Sequence, residues 1–273
     1  MIKYAGIFFV ALSCLPSYSM PQTGKNFGNT AKSYYSTVKD FRYLKDTLFT
    51  LKPYFIEVNL KTQKGYLHSK RGGIKSFDIS SGTDRLEDGV NTKEGIFVIK
   101  AKLPQWYSRQ FDSTLMLNWM GFNGGIGFHA LPTSGYYRYL GKKKSSHGCI
   151  RISRKTAKEL YEIIDLGTPV IVHSGSNALT VAFTEPTDPL LFYYKSYKSV
   201  SNLVSKKLDA LYGGNYFIQY KKHIILDFEN VGHAGLSAGS SLKILPRQIT
   251  YPRYRFIEEA IPRIRSLDIM KKN

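Results

Sequence analysis

The chain has 273 residues, with 39 Lys+Arg against 20 Asp+Glu and a formal net charge of +19. Its 42% hydrophobic and 14% aromatic content excludes a disordered chain, and 23 Gly with 11 Pro exclude a collagen-like or low-complexity one. Two cysteines exclude a disulfide framework, and the charge is spread along the whole chain with no recognisable nucleic-acid module.

Taken in chain order, Lys3 and the apolar run from Tyr4 to Leu15 read as the first two parts of a secretory signal, with Ser17-Tyr18-Ser19 offering a cut after Ser19. The run is too short to span a bilayer. Residues 1–19 are therefore expected to direct export, to the periplasm or cell wall. Membrane contact would come only through this signal, or through lipid on Cys14 if the cut falls before it, a reading that Ala11 weakens. Residues 20–52 form a polar segment with an amphipathic helix around 34–48. From Tyr54 the pattern alternates: Ile56, Val58 and Leu60 against Phe55, Glu57 and Asn59, a half-buried strand. Short strands at 65–68, 74–79 and 96–100 follow, separated by Gly-containing turns. Ser153 caps a helix over 154–165, Gly167 stops it, and Pro169–Val172 returns as a buried strand. The turn-like Ser174–Asn177 marks an expected boundary, beyond which a helix near 199–211 and strands near 216–228 form a small α+β accessory domain over 176–273.

Removal of the signal leaves Cys149 unpaired in an oxidising compartment. Such a thiol is either inert by burial or retained for its reactivity. A cysteine nucleophile needs an imidazole to take its proton, a group to orient that imidazole, and N–H donors for a developing oxyanion. His129 ends an apolar run, Gly148 precedes Cys149, and Arg151 follows two residues on, where a strand would turn it to the same side as Cys149. Residue types alone leave a small buried cysteine and an unrelated histidine equally open.

His129, sixteen intervening residues, and then Ser146-His147-Gly148-Cys149-Ile150-Arg151 resemble the signature of the L,D-transpeptidase catalytic domain, the YkuD-like fold. The resemblance extends over 53–175 and includes Ser81-Gly82, Thr92 and Gly95. Ala130 and Lys93 depart from common family residues without removing a reactive group. The resemblance implies a mainly β catalytic domain, a sandwich or barrel with one or two helices. It implies that Cys149 is the nucleophile and His129 the general base and acid, with Ser146 orienting the imidazole, partly through its backbone carbonyl. Gly148 and the Cys149 N–H would belong to the oxyanion region, and His147 and Arg151 would line the site, Arg151 anchoring a peptide carboxylate.

The activity implied is attack on peptidoglycan tetrapeptide stems through a thioester. The product is a 3→3 cross-link when an amine accepts, or a trimmed tripeptide stem, the L,D-carboxypeptidase alternative, when water does. A non-catalytic cell-wall-binding protein with an inert Cys149 is the contrasting reading. No cofactor and no metal is expected, because Asp227, Glu229, His223 and His233 have the spacing of no common metal site. Stem peptides are the expected partners. Glycan strands could add to them through 176–273, where Leu236–Ile244 faintly resembles the end of a LysM-type module. Lys142-Lys143-Lys144 is either a solvated loop tip or a cationic rim for anionic stems.

Overall fold

A computed structural model describes residues 45–108, 113–214 and 223–244. The signal segment, Cys14, the first part of the expected 34–48 helix and much of the 216–228 strands lie outside these residues.

The described chain opens with four consecutive strands, β1 (Asp46–Thr50), β2 (Tyr54–Asn59), β3 (Lys64–Ser69) and β4 (Ile74–Asp78), of which the last three fall where the sequence placed strands. The end of the expected 34–48 helix is thus a strand. Leu48 sits in a parallel ladder opposite Val181, and that distant partner outweighs the local helical spacing. The chain continues through β5 (Gly95–Val98), β6 (Ala101–Tyr107), β7 (Leu115–Asn123) and β8 (Ile126–Ala130). Then come the short β9 (Ile150–Arg151), helix α1 (Arg154–Ile163), β10 (Pro169–His173) and β11 (Leu179–Phe183). Ser153 caps α1 by accepting from the Thr156 N–H at 3.1 Å, and Gly167, at φ +80°, makes the turn into β10. Beyond these lie β12 (Leu191–Phe192), α2 (Tyr197–Tyr212) and β13 (His223–Ile224).

Two sheets pack face to face. The five-stranded one runs β4-β3-β2-β10-β5 and the four-stranded one β6-β7-β8-β9. Between them Ile56, Val58, Phe97, Phe122, Phe128, Ile150 and Val172 form one core, closed by Ala157 and Leu160 of α1. This is the mainly β sandwich with few helices that the sequence indicated.

The other face of the five-stranded sheet is also covered. Phe55, Ile96, Val98 and Ile171 share a second core with Leu48, Leu179, Val181, with Val200, Val204 and Leu208 of α2, and with Leu236. Phe55 is therefore only 6% exposed, and β2 is buried on both faces where the alternation indicated one. Leu236 bridges Ile96 at the free edge of β5, and Lys207 of α2 forms an ion pair with Asp46 at 2.8 Å. The described part of 176–244 thus packs in one unit with the strands before it. Between the two edges of this layer, Glu57 joins two imidazoles, His173 at 2.8 Å and His68 at 2.9 Å. These bonds hold its carboxyl well below the usual carboxylate range.

Candidate active site

Cys149 immediately precedes β9, and β9 lies parallel to β8 with His129 opposite Arg151. Side chains alternate along strands, so Cys149, Arg151 and His129 fall on one side while Phe128 and Ile150 enter the core.

The loop before Cys149 is clasped by another, distant in sequence. Thr92, 4% exposed, accepts from the Gly82 N–H at 2.8 Å and donates to the Gly148 carbonyl at 2.7 Å. The two glycines touch. A Cβ on Gly82 would lie 2.4 Å from the Gly148 Cα, and Gly148 itself has φ +144°, a backbone that L side chains rarely adopt. Ser146 donates from Oγ to the Cys149 carbonyl and accepts from the Gly148 N–H at 3.2 Å. Its own carbonyl accepts from the Thr83 N–H at 2.9 Å. Behind it, Gln63 bonds Ser81, whose carbonyl accepts from the N–H groups of Ser145 and Ser146. Arg151 donates from Nη1 to the Ser145 carbonyl at 2.8 Å and pairs with Ser80 through both backbone groups.

Two expected contacts differ. Ser146 is spent on the cysteine loop, while the His129 Nδ1 faces the Ala130 carbonyl at 3.1 Å. A carbonyl can only accept, so Nδ1 carries the proton and Nε2 is left as the basic nitrogen. The Gly148 N–H is likewise occupied by Ser146. It is the Cys149 N–H that makes no hydrogen bond among the described residues, which makes it the available oxyanion donor. His147 holds the loop through its carbonyl, which accepts from the Val90 N–H at 3.3 Å.

The electrostatics are those of a neutral pair. Burial lowers the His129 pKa to about 4 from 6.5, with the Arg151 charge acting in the same direction. Desolvation pushes the Cys149 thiol up, against a backbone bond from Gly127, the Arg151 charge and the Trp119 side chain. The thiol donates to the Gly125 carbonyl at 3.6 Å, and no hydrogen bond joins it to His129. At neutral pH the resting site holds a thiol and an uncharged imidazole, suited to proton transfer during attack instead of a standing ion pair. Next to Ser145 opens a cleft of about 580 Å³ lined by Thr83, Arg85, Tyr139, Lys143 and Lys144. Lys143 lies over the Tyr139 ring at 4.5 Å and Lys144 reaches Asn91 at 3.3 Å. Of the four residues 223, 227, 229 and 233, His223 bonds Asp188 and Asp227 caps the backbone of Glu229 and Asn230. Among the described residues no cluster of three potential metal ligands forms.

The site is thus a clasped Gly-Cys loop on a β-sandwich, on the same side of the sheet as a buried neutral histidine. Residues 53–172 match the family model described as the YkuD L,D-transpeptidase catalytic domain. It is 30% identical over 127 residues to a putative L,D-transpeptidase, YciB, of Bacillus subtilis, covering 43% of this chain and 64% of that protein. Among solved structures, an L,D-transpeptidase from Mycobacterium smegmatis is 22% identical, with a TM-score of 0.39 over 44% of this chain and 58% of its own. One from Stackebrandtia nassauensis is 26% identical, with a TM-score of 0.38 over 45% and 56%. The chain thus spans less than two thirds of the length of each of these relatives.

Proposed function

We propose that the protein is an exported L,D-transpeptidase that acts on peptidoglycan stem peptides through Cys149. The observation that carries this reading is the Cys149 loop, fixed by Thr92, Gly82 and Ser146 on the same side of the sheet as a neutral His129, within residues that match the family model.

The reaction follows from these groups. As the sulfur attacks the carbonyl between the L-centre and the terminal D-residue, His129 Nε2 takes the thiol proton and an S–C bond forms. The carbonyl oxygen, now negative, accepts from the Cys149 N–H. Collapse breaks the C–N bond, and His129 returns its proton to the departing amine, leaving a thioester. An acceptor amine then loses its proton to His129 as it attacks; the new C–N bond forms, the S–C bond breaks, and the sulfur regains a proton. Water in place of the amine gives the carboxypeptidase outcome through the same intermediate. The missing His129–Cys149 hydrogen bond is consistent with a site that tightens around substrate. Arg151 has one nitrogen committed to Ser145, so its remaining donors are what could meet a stem carboxylate, and the basic cleft beside Ser145 suits an anionic stem. Export rests on the 1–19 signal, with N-terminal sequencing of the mature protein as its check.

The test is incubation with defined tetrapeptide muropeptides, read by intact-protein and product mass spectrometry. The wild type is expected to gain an acyl mass and form cross-linked dimers, and Cys149→Ala to do neither. Acylation that persists in Cys149→Ala overturns the assignment, and tripeptides without dimers would replace transpeptidation by trimming.

A further inference from the structure

The β7 strand contains one donor whose purpose the chemistry above leaves open. Between Leu117 and Met120 the β7–β8 ladder slips out of register, and Asn118 takes a left-handed φ of +50°. A bulge of this kind bends its strand and re-aims a side chain, and here Trp119 is turned inward to 5% exposure. Two neighbours hold the indole in place. A Cβ on Gly121 would fall 2.2 Å from Trp119 Cη2, so the ring fills space that only glycine leaves. On its other side Trp106 stacks at 5.4 Å between ring centroids and 20° between planes.

Held this way, Trp119 Nε1 is buried and has no hydrogen-bond partner among the described residues. A buried N–H left unmade is costly, and its persistence calls for a reason. The slip sets Asn118 and Trp119 against His129, which in turn pairs with Arg151 just after Cys149, so the indole lies along the row that carries the site, and its side chain favours the ionised form of the Cys149 sulfur. A thiol is a poor acceptor and a thiolate a strong one. The donor is thus without a partner while the sulfur is a thiol, the form that accepts poorly.

We propose that Trp119 Nε1–H is the positioning donor for the Cys149 sulfur, receiving it as a thiolate when the thiol proton passes to His129. The same bond forms again when the sulfur leaves the thioester, so it serves both halves of the transfer. This inference rests on Cys149 being the nucleophile.

The test reads sulfur ionisation directly, without peptidoglycan. Alkylation of Cys149 by iodoacetamide is followed against pH in the full chain, with the modified peptide identified by mass so that Cys14 does not interfere. Trp119→Phe keeps an aromatic ring and removes the N–H; replacing Trp119 with benzothienylalanine keeps the bicyclic shape as well. Either change is expected to raise the pH midpoint by about one unit and to slow alkylation below it about tenfold, with the high-pH rate unchanged. Trp106→Phe, which disturbs the stack alone, is expected to leave the midpoint in place. A midpoint within about 0.2 unit of wild type in a folded Trp119 variant overturns the proposal. So does loss of the folded near-UV spectrum in both variants, which would make Trp119 a packing residue. A wild-type Cys149 that resists alkylation at every pH would instead sink the nucleophile reading, so the two failures are distinguishable.

Discussion

Replacing Thr92 with Val keeps the outline of the side chain and removes its hydroxyl. Two backbone groups then lose their partner together, the Gly82 N–H at 2.8 Å and the Gly148 carbonyl at 2.7 Å. No other side chain can move in, because a Cβ on Gly82 would already collide with the Gly148 and Val90 backbones at 2.4 Å. A buried group left unsatisfied costs about 1–3 kcal/mol, so the pair should cost about 3 kcal/mol. Thr92→Ser keeps both bonds and loses one methyl group, about 1 kcal/mol. Urea unfolding of the three proteins measures the difference, and alkylation of Cys149 at fixed pH reports on its loop. The expected order of stability is wild type, Ser, then Val, with the Val variant also altered in Cys149 reactivity. Equal stability of the Val and Ser variants would refute the reasoning, because it would mean that the two hydrogen bonds contribute nothing net.

The buried His129 makes the fold acid-sensitive. Its pKa is about 4 in the folded state against 6.5 when exposed, so between these values the unfolded chain holds the extra proton. The contribution is complete above pH 6.5 and falls away toward pH 4, by about 3 kcal/mol at 1.4 kcal/mol per unit. His129→Gln should flatten this part of the urea-midpoint profile; an unchanged profile would contradict it. Glu57, held low by His173 and His68, acts in the same direction at more acid pH and should remain visible in that variant. Deleting 176–273 should prevent stable folding, since Phe55, Ile96, Val98 and Ile171 would lose their cover. Four such side chains represent about 8 kcal/mol, most of an ordinary domain's stability. A soluble, cooperatively unfolding 20–175 fragment would refute this.

The first sheet was legible because its strands alternate and its helix carries its own cap: Ser153, Ala157, Leu160 and Gly167 sit where the pattern put them. Three things were not. The strand at Asp46–Thr50 depends on Val181 and its neighbours, and no local pattern announces a partner so far along the chain. The second buried face of β2 was hidden for the same reason, since Glu57 and Asn59 look solvent-facing until α2 and Leu236 are in place. At the site, the motif brought Cys149, His129 and Arg151 to one side, but hydrogen-bond direction is set by the folded backbone. Ser146 therefore braces the cysteine loop and leaves the imidazole to Ala130. Thr92 was visible only as a family match, and Trp119 gave no signal, because a bulge at Asn118 is invisible in composition.

The pairing of Asp46 with Lys207 spans 161 positions, and Leu236 seals the edge of β5. A ribosome delivers these partners only after the whole Cys149 motif has emerged. The loop that carries the thiol is therefore made early but cannot be locked in a finished fold until the last elements arrive, and contacts of such sequence separation close slowly. The core between the two sheets can close from residues already made, whereas the second core closes only when the final elements are in place.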